Sequence, residues 1–192
     1  MGEAGTGQVK GVLLVHLREY VIEHHGAEVW DALTPRLAVA DPGVWQGLIL
    51  SSSWYPVRVW NHAFSAFLTG RSDARAELRQ IAHFVSERDL STVFRMLLRI
   101  APPEFVLSRL GALWSRYFDM GSMRPTKLGP RHWEAVLDAP VGEDAAPGEL
   151  TCMGISGWIE RALERTGTRN ARIVQTHCRF RGAAHCDYDL TW

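Results

Sequence analysis

Ile173-Val-Gln-Thr-His-Cys178-Arg-Phe-Arg-Gly182-Ala-Ala-His-Cys186-Asp-Tyr-Asp-Leu190 decides the fold of this 192-residue chain. Residues 173–180 and parts of 184–192 are rich in β-branched and aromatic types, with Gly182 between them, which is a hairpin signal. A turn centred near Gly182 sets Cys178 opposite Cys186 and Val174 opposite Leu190. Side chains alternate along a strand. Val174, Thr176, Cys178 and Phe180 then share a face with Ala184, Cys186, Tyr188 and Leu190, leaving His177, Arg179, His185, Asp187 and Asp189 on the other. One face is apolar and the other charged, so the register is self-consistent.

All three cysteines lie in the last forty-one residues, Cys152 to Trp192. Directly opposed strand residues have Cβ atoms only ~5 Å apart, close enough for two thiolates to share a tetrahedral ion. Cys152 opens a helical run, Met153 to Thr166, in which Ile155, Trp158, Ile159, Ala162 and Leu163 fall at helical spacing before Gly167. A thiol at a helix N-terminus meets the positive end of the helix dipole, which favours thiolate. If this helix packs on the apolar face of the hairpin, Cys152 approaches the other two. Cys152, Cys178 and Cys186 are therefore the candidate metal ligands. The competing reading makes them small buried hydrophobes, and no CxxC pair is present.

Composition narrows the class. Hydrophobic residues make up 46% and charged residues 22%, the range of one globular domain. The 21 basic and 21 acidic residues cancel, so there is no electrostatic drive toward nucleic acid or anionic membranes. An odd cysteine count without framework spacing fits a reducing, cytoplasmic setting. Residues 1–9 read as a flexible tail without a signal-peptide core, and no apolar run reaches membrane-spanning length.

Gly11–Gly26 reads as a helix striped by Leu13, Leu17, Tyr20, Val21 and His24, followed by a shorter one carrying Val29, Trp30, Leu33 and Leu37. Trp54-Tyr-Pro56 starts another helix, with Val59, Trp60, Ala63, Phe64 and Phe67 on one side. Asp73 caps a helix carrying Leu78, Ile81, Ala82 and Val85. Ser91–Ala101 and Glu104–Met120 follow, the latter with Val106, Leu110, Leu113, Trp114, Tyr117 and Phe118 on one face. Arg124–Leu128 and His132–Leu137 form a second strand pair, and 138–149 is an exposed loop. The layout is α+β: an N-terminal helical layer packed on a four-stranded antiparallel sheet, with a helix between the two strand pairs.

Catalysis finds no support. There is no phosphate-binding glycine loop or HExxH motif, Gly154-Ile-Ser-Gly157 is one residue short of the GxSxG elbow, and the carboxylates of 138–149 have no partner base. His24-His25 and Arg88, Arg95 and Arg99 read as solvated helix faces. Haem needs an axial donor, for which His83, on a helix at the border of its apolar stripe, reads instead as a packed residue. Trp114, Tyr117 and Trp133 are the candidate walls of an apolar cavity between helices and sheet; solid core is the alternative.

Cys152, Gln175-x-x-Cys178 and Cys186 before an aromatic–Asp–Leu strand resemble the close of the vinyl-reductase-type small-molecule-binding domain. In its phenol-sensing members a Glu-x-x-Cys pair, a second Cys eight residues on and a third before the preceding helix hold a structural zinc. Gln175 stands in place of that Glu, so the fourth position falls to His177 turned over by a bulge, to water, or to nothing. Lys10-Gly-Val-Leu-Leu, Tyr20-Val-Ile-Glu-His-His-Gly26 with Trp30, and Trp54-Tyr-Pro56 are similar to the opening of a myxobacterial domain family of unknown function. Phe94-Arg-Met-Leu-Leu-Arg99, Leu113-Trp-Ser-Arg-Tyr-Phe118 and Gly157-Trp158 continue that likeness. The family shares a superfamily with the haem nitric-oxide sensors and the vesicle-tethering TRAPP subunits. The resemblance implies a single domain over 10–192 that senses a small apolar or aromatic molecule, with zinc on Cys152, Cys178 and Cys186. It also implies two alternatives, a homodimeric scaffolding module and a haem gas sensor, although Tyr117, Ser122 and Arg124 lack the spacing of the Tyr-x-Ser-x-Arg motif by which those sensors hold the propionates.

Overall fold

The computed structural model describes residues 7–89, 100–142, 144 and 147–192. The chain enters as β1 (Gln8–Lys10), paired antiparallel with β2 (Trp54–Pro56). This corrects two expectations. Val9 has no exposed surface, so the end of the supposed tail belongs to the fold. Trp54–Pro56 is strand rather than first helical turn, and α4 (Val57–Leu68) begins behind it.

Between them lie α1 (Gly11–His25), α2 (Ala27–Ala40) and the short α3 (Pro42–Trp45). Helix α1 buries Leu13, Leu14, Leu17, Tyr20 and Val21, and only glycine fits at its start, because a Cβ on Gly11 would lie 2.2 Å from the Leu50 carbonyl oxygen. Helix α5 (Ala74–Asp89) follows, then α6 (Pro103–Leu107) and α7 (Leu110–Tyr117). The expected continuous helix over 104–120 is thus broken. The Ser108 hydroxyl and the Arg109 guanidinium both donate to the Phe105 carbonyl, ending the first segment. The expected helix over 91–101 and its Phe94–Arg99 motif lie almost wholly outside the described residues.

The main sheet is antiparallel in the order β3-β4-β6-β5, from β3 (Ser122–Gly129), β4 (His132–Asp138), β5 (Arg172–His177) and β6 (Cys186–Thr191). Helix α8 (Glu149–Glu164) separates the two strand pairs in sequence and packs against both α5 and β5. Met123, Trp133, Ala135, Leu137, Cys186, Tyr188 and Leu190 occupy the buried face of the sheet. The fold is the α+β arrangement read from the sequence. The β5–β6 register differs from the simple hairpin, however: Ile173 pairs with Leu190 and Gln175 with Tyr188, and a bulge before His177 then sets it opposite Asp187. A 3-10 turn, Arg179–Arg181, ends on Gly182 at φ 93°, and the extra residue at Thr176 absorbs the offset.

Helices α5 and α8 approach closely through small residues. Cβ atoms built on Gly154 and Gly157 would lie 3.4 Å from Leu78 Cδ1 and 3.1 Å from Ala82 Cβ. Arg79 pairs with Glu160 at 2.6 Å, and Arg161 and Arg165 both reach Glu87 along the rim.

On the other side of α5, the Tyr20 hydroxyl donates to Glu77 at 2.6 Å and His25 Nε2 lies 2.7 Å from the same oxygen, tying α1 to α5. Burial pushes the Glu77 carboxyl up, but hydrogen bonds from Tyr20 and His25 and the charges of His25 and Arg71 outweigh it and hold it below the usual carboxylate range. A carboxyl depressed on folding stabilises fully above its unfolded pKa of ~4.3, and that contribution disappears as pH falls through the lower folded value. Melting temperature followed from pH 7 to pH 2 is therefore expected to fall more steeply for the wild type than for Glu77→Gln. Parallel acid limbs would contradict this.

Candidate functional site

A cavity of about 110 Å³ lies between α4, α5, α7 and α8. Trp60 and Phe64 come from α4, and Ile81 and Val85 from α5. Helix α7 contributes Trp114 and Tyr117, and α8 contributes Thr151, Ile155 and Trp158. Each wall exists because an amphipathic helix turns its apolar stripe inward. Two indole N–H groups of the walls are already engaged. Trp60 Nε1 donates to the Thr151 hydroxyl at 2.7 Å, and Trp114 Nε1 donates to the Met120 carbonyl at 2.9 Å. Stacked pairs stiffen the walls, Trp60 on Phe64 at 4.7 Å and Trp114 on Phe118 at 4.3 Å between centroids.

Of the residues expected to line such a space, Trp114 and Tyr117 do so. Trp133 does not. It sits buried on β4 opposite Leu190, away from the cavity, and its indole N–H meets no acceptor among the described residues. Sequence reasoning missed Trp60 and Thr151, whose mutual hydrogen bond spans 91 positions.

Cys152, Cys178 and Cys186 are brought together where the first turn of α8 meets the hairpin. All three are buried, and Cys186 shares side-chain hydrogen bonds with both of the others. The Arg179 backbone N–H also donates to Cys186 Sγ at 3.5 Å. The hydrogen bond from Cys152, with help from the Arg179 amide and guanidinium, lowers the Cys186 thiol to about 6 against the effect of burial. The Cys152 thiol is pushed up by its hydrogen bond to Cys186 and by burial, and burial pushes Cys178 up as well.

Arg179, expected on the charged outer face, is rotated inward by the 3-10 turn. It is 6% exposed and donates to the carbonyls of Ala139 at 2.5 Å and Pro147 at 2.7 Å.

The zinc expectation finds no support here. Among the described residues, no group of three or more His, Cys, Asp or Glu is disposed to hold a metal ion. His177 is not turned toward the sulfurs by the bulge; its Nδ1 pairs with Asp187 at 3.0 Å.

Haem does not fit this cavity either. Its lining holds no histidine, cysteine or cation, so it lacks a histidine or thiolate axial donor and a cation to meet propionates. The volume is also well below the ~300 Å³ at which drug-sized pockets begin. His83 pairs with Glu160 at 3.3 Å on the rim, and His24 Nδ1 donates to the Tyr20 carbonyl at 3.1 Å while its ring stacks on that of Tyr20. Arg124 lies exposed on β3, bonded to Ser122. Among the described residues no helix is long and apolar enough to cross a membrane.

No family model and no curated protein matches the sequence. Solved structures do. The H-NOX protein from S. oneidensis in the Fe(II)NO ligation state superposes with a TM-score of 0.70 at 15% identity, covering 94% of this chain and 97% of that one. An H-NOX domain from Shewanella oneidensis in the Fe(II)CO state gives 0.71 at 14% identity, covering 95% and 97%. The unliganded Fe(II) H-NOX protein from K. algicida gives 0.69 at 12% identity, covering 95% of each chain. The chain has an H-NOX-like fold.

Proposed function

We propose that this chain is a non-catalytic, haem-free sensor domain of the cytoplasm whose input is a small apolar or aromatic molecule held between α4, α5, α7 and α8. The observation that carries the reading is a cavity with aromatic walls in which the Trp60 and Trp114 N–H groups are already satisfied, so that an entering molecule finds chiefly apolar contact. The H-NOX structures are described in Fe(II) states; the cavity of this chain is lined by no histidine or cysteine. An apolar cavity of ~150 Å³ stays dry and takes up benzene, so a space of about 110 Å³ suits a molecule of benzene size or smaller. Signal would then leave through contact with a protein partner or a second copy of the chain.

Benzene is expected to raise the melting temperature, by the equivalent of ~2.7 kcal/mol at a hundredfold excess over Kd. Filling the space with Val85→Phe, or with Ile155→Phe should the first fold poorly, is expected to abolish that rise. Haemin added to the purified chain is expected to give no stoichiometric Soret band. A 1:1 Soret band, or a ligand response that survives both filling variants, would overturn the proposal.

A further inference from the structure

Beside the aromatic chamber lies a second space, of about 430 Å³, between α4, Val141–Gly142 and the start of α8, with Phe180 across it. Asn61 and Ser65, one helical turn apart, line it from α4, next to the pair Trp60 and Phe64 that walls the chamber. The two spaces have Phe64 and Thr151 in common and are otherwise lined by different residues. Those two side chains are therefore the partition. Both are buried, and they are tied through Trp60, which stacks on Phe64 and donates its N–H to the Thr151 hydroxyl.

The outer space is chemically unlike the chamber. Phe64, Leu150 and Phe180 give it apolar surface, while Asn61, His62, Ser65 and Glu149 add polar groups. Exposed Ser65 and Val141 lie at its opening to solvent. Among the described residues no lysine or arginine lines it. The Glu149 carboxylate is paired with Arg181 at 3.1 Å, and His62 with buried Asp41 at 3.0 Å. The charges are thus already matched, and nothing here calls for an ionic ligand. A space of this volume, mostly apolar with a few convergent polar groups, has the character of a small-molecule site.

Resting on the apolar-ligand reading, we propose that the two spaces form one two-compartment site for an uncharged arylalkyl alcohol. The ring occupies the chamber, the chain crosses beside Phe64 and Thr151, and the hydroxyl group lies in the outer space near Asn61 and Ser65. A chamber of benzene size holds the ring and little more, so a longer molecule has to extend past the partition. Phe64 makes room by swinging off Trp60, which costs one stacked contact. The ligand hydroxyl gives up water where polar side chains return hydrogen bonds. A carboxylate head would lose its hydration without a lysine or arginine to replace it.

The test titrates the full chain at neutral pH by calorimetry with benzene, 3-phenyl-1-propanol and 3-phenylpropionate. The alcohol is expected to bind ~10-fold more tightly than benzene, from added contact and a hydrogen bond. The carboxylate is expected to bind at least ~10-fold more weakly than the alcohol. Ser65→Trp, which fills the outer space from an exposed position, is expected to remove the advantage of the alcohol and leave the affinity for benzene unchanged. Val141→Trp does the same from the facing wall, so the comparison holds should the first variant fold poorly. If benzene binds but the alcohol binds no more tightly, if its advantage survives both variants, or if the carboxylate binds equally well, this proposal alone is overturned. Absence of benzene binding would overturn it together with the reading it rests on.

Discussion

Trp60→Ala is expected to lower the free energy of unfolding by about 3–5 kcal/mol, the range for removing a buried aromatic. Trp60 is 4% exposed, stacks on Phe64, and donates its N–H to Thr151 on a helix far along the chain. Its loss therefore enlarges the cavity, strips a ring contact and leaves the Thr151 hydroxyl buried without its partner. In a domain of this size the melting temperature falls by roughly 10 °C. Added indole is expected to restore part of that fall by refilling the space. A loss under ~1 kcal/mol by urea denaturation would show that the α4–α8 contact matters far less than its geometry implies.

Gly157→Leu is the second large effect. A Cβ at this position already meets Ala82 Cβ at 3.1 Å and lies 3.5 Å from Arg79 Cα, so the rest of a leucine must drive α5 and α8 apart. Overpacking of this kind costs ~1–3 kcal/mol and more when backbone has to shift. The upper end applies here, because separating the helices also parts Arg79 from Glu160 and Ser86 from the Trp158 carbonyl. Gly157→Ala sets ~1 kcal/mol of helix propensity against a tight but tolerable contact, and near-neutral stability is expected. The difference between the two variants in urea midpoint checks the argument. Equal midpoints would mean that the interface yields without cost.

The same elements show what could be read from sequence. Strand β6 was legible because Cys186, Tyr188 and Leu190 alternate with Asp187 and Asp189, and only one orientation buries the former. The existence of strand β5 was legible too, but its inward face was not, because Ile173 and Val174 suit the inner face equally, and nothing local marks the bulge at Thr176 that chooses Ile173. Trp114 and Tyr117 stood out as members of an amphipathic stripe, whereas Trp133 shares the inward face of the sheet without reaching the cavity. Arg179 was placed on the charged face by strict alternation, and the 3-10 turn cancels that alternation just where it mattered. The break between α6 and α7 carries no proline or glycine at Ser108 or Arg109 and so had no ordinary signal.

Thr151 and Cys152 are consecutive residues in the first turn of α8, one facing the aromatic chamber and the other the sulfurs. A displacement of that turn alters both environments at once. Thermodynamic reciprocity then applies: whatever factor an occupant of the chamber applies to binding or chemistry at the sulfurs, that event applies to the occupant's affinity. Two chemically unrelated environments would be coupled within a single helical turn.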